Sequence, residues 1–200
     1  MFKENGIHIE ENFLSIDLIE LLQRYCQYRV TSNEWEKEEF SNTSSFKKYA
    51  DPLIESLLAY NLPKAEEIVG RKLYPTYSYI RLYTAGDKML IHSDRPSCEI
   101  SVSINIAHFG ESKNPLCYEN VDGEMVEVYQ KPGDAFFYLG REIPHGRYPH
   151  SEDQVTLQCM LHYVYQDGEF KACKFDNRPD LGQTLSTRTK SEAWMLKGKD

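Results

Sequence analysis

Residues 75–107 read "PTYSYIRLYTAGDKMLIHSDRPSCEISVSINIA", and the fold class follows from them. Three runs rich in β-branched and aromatic residues are separated by "AGD" and "RPS", both turn-forming. The pattern continues downstream with "PLCYEN", "EMVEVYQ", "DAFFYLG", "PHGRYPH" and "VTLQCMLHYVYQ". Between these lie "GESKNP", "VDGE", "KPGD" and "EDQ". Eight short strands at this spacing imply a β-sandwich or barrel, and a jelly roll is the natural closure for that count. Inside the stretch, His92 and Asp94 stand two residues apart where the pattern is otherwise that of a strand. They are either a ligand pair or two polar residues on a solvated face.

Upstream of residue 70 the texture is helical. "IHIEENFLS" suits a short strand followed by a helix start, with Ser15 as N-cap. "IDLIELLQRYCQYRV" carries apolar residues at Ile16, Leu18, Ile19, Leu21, Leu22 and Tyr25, the spacing of an amphipathic helix. "TSNEWEKEEFSNTSS" is polar and is expected to be a surface loop. "DPLIESLLAYNL" predicts a helix capped by Asp51 with Pro52 in its first turn. "LPKAEEIVG" predicts another, stopped by Gly70. The expected layout is a single domain over 1–170, with a helical part over 1–70 and a jelly-roll core over 71–170. A polar C-terminal tail over 171–200 is expected to be loosely docked or disordered.

Two hundred residues suffice for a core that needs neither disulfides nor a structural metal. A net charge of -8 argues against nucleic acid or an anionic membrane as partner. The five cysteines are odd in number and form no C-x-x-C pair, so reduced thiols are expected rather than a disulfide framework. The first fifteen residues do not form a signal h-region, and no apolar run approaches the roughly 20 residues of a membrane helix. A cytoplasmic protein is expected.

In a strand, residues i and i+2 point to one face, so His92 and Asp94 can converge on one point. An imidazole nitrogen with a carboxylate oxygen suits Fe(II), Mn(II) or Zn(II). The best third ligand is His145 in "REIPHGRYP", at the end of a later strand signal. His108, His150 and His162 compete. His108 is expected in a polar loop, His150 leads into the "SEDQ" turn, and His162 lies within a strand, where a satisfied core histidine is the bland reading. Two histidines and a carboxylate form the facial set of non-haem Fe(II) oxygenases, with positions left open for co-substrate and O2.

Residues 73–168 resemble the double-stranded β-helix core of the 2-oxoglutarate- and Fe(II)-dependent dioxygenases, nearest to the prolyl-4-hydroxylase-like group. The resemblance is carried by "YIRLYTAGDKMLIHSD" (79–94), "KPGDAFFYLGREIPHGR" (131–147) and "LQCMLHYV" (157–164). Within these, Arg81, Tyr83, Gly86, His92, Asp94, Pro132, Gly133, Asp134 and His145 follow the family order. The resemblance implies His92, Asp94 and His145 as metal ligands and catalytic centre, Fe(II) as metal and 2-oxoglutarate as co-substrate. It also implies hydroxylation by O2 of a small molecule, an amino acid or a peptide side chain. Halogenases of this kind lack the carboxylate that Asp94 supplies.

One departure stands out. The family usually has an Arg or Lys about ten residues after the distal His, for the far carboxylate of 2-oxoglutarate. Here no Lys or Arg occurs between Pro149 and Lys171. A buried carboxylate needs a cation or several donors. Arg147 is the best substitute, two residues after His145 and sharing its face; Arg81, Tyr83, Gln158 and His162 are further candidates. The departure keeps two rivals in view: a non-catalytic binding module on the same fold, and a cupin-type metalloenzyme without 2-oxoglutarate. Of the flanking residues, Arg95 is expected to pair with Glu99 or to line the entrance. Tyr77, Tyr79 and Tyr83 share a strand face, as do Ser103 and Asn105.

Overall fold

A computed structural model describes residues 2–37, 45–111 and 114–183. The element order is α1 (Phe2–Asn5), β1 (Ile7–Glu10), α2 (Ile16–Thr31), β2 (Glu36–Lys37), β3 (Phe46–Tyr49), α3 (Pro52–Tyr60) and α4 (Leu62–Val69). Then follow β4 (Leu73–Tyr83), β5 (Met89–His92), β6 (Ile100–Phe109), β7 (Leu116–Glu119), β8 (Met125–Val128), β9 (Ala135–Tyr138), β10 (His145–Arg147) and β11 (Val155–Tyr165). The strands form a seven-stranded sheet, β1-β9-β6-β11-β4-β3-β2, and a four-stranded sheet, β5-β10-β7-β8. All pairings are antiparallel.

The large sheet separates its residues by parity. On one face, Ile80, Ile100, Val102, Ile104, Leu157, Cys159 and Leu161 are buried in the main hydrophobic cluster. Helix residues Ile19, Leu22 and Cys26 of α2 and Ile54, Leu57 and Leu58 of α3 belong to the same cluster. The helices therefore cover this face, and the chief core lies between sheet and helix. The other face, with Tyr79, Arg81, Tyr83, Ser103, Gln158, Met160 and His162, turns toward the small sheet and lines a cavity. A second, small cluster of Leu116, Val128, Phe136 and Tyr138 closes the space between the sheets beside it.

The helices start and stop where their side chains dictate. The Ser15 hydroxyl accepts from the Leu18 amide, and the Asp51 carboxylate accepts from the amides of Leu53 and Ile54. Gly70 ends α4 with a φ of 76°, a left-handed conformation that favours glycine. Within α2 the burial is narrower than the apolar pattern, since Ile16 and Leu21 stay exposed.

Two regions differ from expectation. The polar segment read as a loop contributes β2; β3, just beyond it, pairs with β2 and with β4, the latter in the register Phe46↔Leu82 to Tyr49↔Tyr79. Backbone pairing with the open edge of β4 outweighs the polar composition there. Residues 38–44 of that segment lie outside the described residues. The expected tail also packs closely over 171–183. The Asp176 carboxylate accepts from both terminal nitrogens of Arg95, at 2.7 and 2.8 Å, and from Ser97 Oγ at 2.6 Å and Tyr49 Oη at 2.5 Å. Arg95 thus pairs with Asp176 and not with Glu99. Arg178 makes a two-pronged ion pair with Glu55, at 2.6 and 3.0 Å, in which both side chains are essentially buried. The rest of the tail, 184–200, lies outside the described residues. No helix among the described residues is long and apolar enough to cross a membrane.

Breaking the Arg178–Glu55 pair from one side strands a buried charge. Arg178→Ala is expected to lower stability by about 3–5 kcal/mol, read as a shift of the urea midpoint. A surface-like loss below about 1 kcal/mol would mean that the C-terminal segment contributes little to the fold.

His150 supplies a second test. It is buried, stacked on Tyr83 at 5.3 Å, and bonded to the Asp87 carbonyl and to Thr156 Oγ1. Burial pushes its pKa down to about 4. The unfolded chain therefore binds a proton at His150 before the folded protein does. Stability from this group is complete above the ordinary histidine pKa of about 6.5 and is lost as pH falls from there toward 4. His150→Gln is expected to flatten the pH dependence of urea stability in that window. An unchanged slope would assign the acid sensitivity elsewhere.

Candidate metal centre

β10 lies between β5 and β7, and its register sets His145 directly opposite His92. The two imidazoles face each other with centroids 4.6 Å apart. Asp94 follows β5 in a short connection, where its backbone N–H donates to the Gly140 carbonyl at 2.8 Å. His92 Nε2 is 3.5 Å from Asp94 Oδ1, and His145 Nε2 is 3.7 Å from the same oxygen. One ligand atom from each of the three residues lies within 4.8 Å of the others. The sequence-predicted triplet therefore converges.

Each imidazole is oriented by its own backbone. His92 Nδ1 is 2.8 Å from the Leu90 carbonyl and His145 Nδ1 is 3.0 Å from the Ile143 carbonyl. A carbonyl only accepts, so Nδ1 carries the proton in both rings and Nε2 keeps its lone pair toward Asp94. This is the outer-shell pattern that fixes metal-ligating histidines. Asp94 is held from behind by Ser101, whose Oγ donates to Oδ2 at 2.8 Å. Ser101 in turn lies 3.0 Å from Nδ1 of the buried His162.

The electrostatics match the geometry. Only the protonated ring of His92 can donate from Nε2 to Asp94, and that bond raises its pKa against the opposing effect of burial. Burial works to raise Asp94, but His92, the His162 and His145 rings and Ser101 together hold it below the ordinary carboxylate value. Burial lowers His145, which stays neutral and available as a ligand. His92 is 43% exposed at its side chain and His145 only 2%, so the centre lies where the cavity opens to solvent.

The cavity, of about 290 Å3, is lined by all five residues considered for the co-substrate, Arg81, Tyr83, Arg147, Gln158 and His162. Arg147 is buried against the ring of Tyr83, its guanidinium carbon 5.3 Å from the centroid. Its Nη1 donates to the Asn114 carbonyl at 2.5 Å and its Nη2 to Gln158 Oε1 at 3.2 Å. It has no carboxylate partner among the described residues. Gln158 donates onward to Ser103 Oγ at 2.8 Å. Arg81 is half-buried at the open side, stacked on the other guanidinium's partner, Tyr83, at 4.7 Å and donating from Nε to Ser45 Oγ at 3.0 Å. Tyr83 Oη reaches Met89 Sδ at 3.8 Å.

Of the competing histidines, His108 and His150 lie outside the triplet, while His162 stands behind Asp94, its ligand atom within 4.8 Å of that carboxylate and of Cys98 Sγ. His108 is not in a loop but near the end of β6, with Nδ1 3.2 Å from Thr156 Oγ1. His150 is the buried packing residue already described. His162 is neutral, its pKa pushed down to about 4 by burial, and stacked on Tyr77 at 4.5 Å. Sequence reading missed Ser101 and Gly140. Ser101 shares its strand parity with Ser103 and Asn105, so the alternation in "EISVSINIA" carried its signal. Gly140 carried none.

Gly140 matters through space alone. A Cβ there would stand 2.4 Å from Asp94 Oδ2 and from the Cys98 carbonyl, and 2.6 Å from Ser101 Oγ. Backbone and carboxylate cannot both yield. Gly140→Ala is expected to cost about 1–3 kcal/mol by overpacking and to turn Asp94 away from the histidines. Thermal unfolding and a crystal structure of the variant check the two effects. A variant with wild-type stability and an unmoved Asp94 would refute the crowding.

No family model and no curated protein sequence matches the chain. Solved structures do resemble it. A Pseudomonas putida prolyl-4-hydroxylase is 16% identical, with a TM-score of 0.65 over 82% of this chain and 95% of that one. The non-haem 2-oxoglutarate-dependent epimerase SnoN of nogalamycin biosynthesis is 13% identical, with a TM-score of 0.73 over 92% of this chain and 88% of that one. SnoN has also been solved with Fe3+ and 2-oxoglutarate. HygX from Streptomyces hygroscopicus, solved with nickel and 2-oxoglutarate, is 12% identical, with a TM-score of 0.63 over 83% of this chain and 85% of that one. With its two antiparallel sheets closed as a jelly roll and helices over the larger, this chain has the fold of the 2-oxoglutarate- and Fe(II)-dependent oxygenases.

Proposed function

We propose that the protein is an Fe(II)- and 2-oxoglutarate-dependent oxygenase that hydroxylates a small molecule, an amino acid or a peptide side chain. One observation carries the reading. A facial set of two imidazole nitrogens and a carboxylate oxygen shares its cavity with a buried guanidinium that lacks a carboxylate partner among the described residues. The donor set fits Fe(II). The guanidinium fits a dianionic co-substrate, because a buried cation without a counter-charge is costly and an incoming carboxylate relieves that cost.

In this reading His92, Asp94 and His145 hold the metal on one side and leave the cavity side open. Arg147 receives the far carboxylate of 2-oxoglutarate, with Tyr83 beneath its plane and Gln158 fixing one of its nitrogens. Arg81 stands at the open side, where it can meet co-substrate or substrate. Metal and co-substrate together supply oxidation of a C–H bond by O2, with decarboxylation of 2-oxoglutarate to succinate. The chain's own part is to orient these groups and to keep water from the buried end. A cupin-type metalloenzyme without 2-oxoglutarate would leave Arg147 unpaired, so the buried cation favours the oxygenase.

Anaerobic Fe(II) with 2-oxoglutarate is expected to give a weak visible charge-transfer band. His145→Ala is expected to abolish stoichiometric iron binding; retained iron would remove His145 from the ligand set. Arg147→Met separates the co-substrate from the fold. Removing an unpaired buried cation should leave the metal-free protein as stable as the parent or more so. The same change should weaken 2-oxoglutarate binding roughly 30-fold or more, the loss of one charge-assisted pair of about 2–3 kcal/mol. Unchanged 2-oxoglutarate affinity in that variant would overturn the assignment of Arg147.

A further inference from the structure

The two oxygens of the Asp94 carboxylate have different surroundings. Oδ1 approaches both imidazoles of the triplet, 3.5 Å from His92 Nε2 and 3.7 Å from His145 Nε2. Oδ2 accepts from Ser101 Oγ at 2.8 Å. It also lies against Gly140, where a Cβ would stand only 2.4 Å from it. One oxygen thus faces the ligand nitrogens, and the other is boxed in by protein.

Two strands of the large sheet build this asymmetry. β6 pairs with β11 in the register that sets Ser101 directly opposite His162, so the two side chains stand together on the polar face. Both are buried. His162 Nδ1 is 3.0 Å from Ser101 Oγ. The hydroxyl has one hydrogen, and a carboxylate only accepts. The Cys98 carbonyl competes for that hydrogen at 3.4 Å, but the nearer and charged acceptor holds it. Ser101 therefore donates to Asp94, and toward His162 it can only accept. His162 must then carry its proton on Nδ1. The imidazole fixes the rotation of the hydroxyl, and the hydroxyl fixes the carboxylate.

We propose that Ser101 and His162 are positioning residues that keep Oδ2 of Asp94 off the metal, so that Asp94 supplies one ligand oxygen and not two. The inference rests on the reading of His92, Asp94 and His145 as metal ligands, and it names what holds the number of ligand atoms at three. A six-coordinate ion with three protein ligand atoms keeps three positions, two for 2-oxoglutarate and one for O2. Carboxylates bind metals through one oxygen or through both. Released from Ser101, Asp94 can turn its second oxygen to the ion, and the position then lost is the one that O2 needs.

Nitric oxide is the probe, a stand-in for O2 that gives Fe(II) a distinct electron paramagnetic resonance signal. It is titrated anaerobically into protein loaded with Fe(II) and 2-oxoglutarate. Ser101→Ala is expected to keep its iron and the charge-transfer band, and to bind nitric oxide about ten-fold or more weakly than the parent, the loss of one charge-assisted hydrogen bond. His162→Asn sets an amide N–H where Nδ1 stands, and is expected to bind nitric oxide as the parent does. His162→Leu has no donor and is expected to fall between the parent and Ser101→Ala. A merely structural role would move both His162 variants alike, because each loses the ring stacked on Tyr77. Metal-free protein in EDTA gives an independent reading. The ring nitrogen resonances of His162, assigned by their loss in His162→Asn, are expected to show the proton on Nδ1. A proton on Nε2 would overturn the proposal, since Ser101 would then donate to the ring. So would parent-like nitric oxide affinity in Ser101→Ala, loss of iron from that variant, or equal effects of the two His162 variants. These outcomes overturn the positioning role alone. A parent that gives no charge-transfer band overturns the reading of the metal centre, and this inference with it.

Discussion

The structure depends on the division of the large sheet into an apolar face and a polar one. Strands β4, β6 and β11 each alternate so that Ile80, Val102, Leu161 and their neighbours face the helices, while Arg81, Ser103, Gln158 and His162 face the small sheet. A jelly roll packed with apolar residues between its sheets would have no room for chemistry. Here the helices take over the task of burying apolar surface, and the space between the sheets is released for polar groups. A slip of one residue in any of these strands would exchange the two faces and destroy core and cavity together.

The same division makes the candidate metal centre a property of closure. His92 and His145 come from the small sheet, while the group that holds Asp94, Ser101, comes from the large one. The connection that carries Asp94 is clamped again further along, where Arg95 and Ser97 are bound by Asp176. That clamp has a conformational cost. Phe175, Asp176 and Asn177 hold φ values of 54°, 55° and 59°, a left-handed run without a glycine, at about 1 kcal/mol or more each. The four hydrogen bonds converging on Asp176 offset it. Burial opposes ionisation of Asp176, yet Arg95, Ser97 and Tyr49 bring its pKa to about 2, so the clamp stays charged at neutral pH.

The strand succession from Leu73 to Tyr165 was legible because each strand is short, alternating and bounded by turn residues. His92 and Asp94 were legible for the same reason, as i and i+2 on one strand end. His145 was legible from its place at another strand end, although nothing local shows which strand will be its neighbour. The parts that escaped are those decided by partners distant in sequence. β3 is polar in composition and becomes a strand because β4 offers an open edge. Residues 171–183 have no periodicity, and Asp176 and Arg178 find their partners some 81 and 123 residues away. Gly140 acts by the absence of a side chain beside Asp94, and no pattern in a single sequence encodes a vacancy.

The departure from the family pattern becomes intelligible in the same terms. The resemblance leads one to expect a basic residue on the strand after the distal histidine, about ten residues on; this chain has none there, and the side chain of that strand which meets Arg147 is Gln158. Gln158 Oε1 lies 3.2 Å from Arg147 Nη2, and its own Nε2 is satisfied by Ser103. A lysine or arginine at 158 would confront a buried guanidinium across that distance, two like charges in a space of low polarity. A neutral acceptor is the side chain that Arg147 tolerates best. The cation of the small sheet and the neutral side chain that faces it from β11 are therefore a single arrangement.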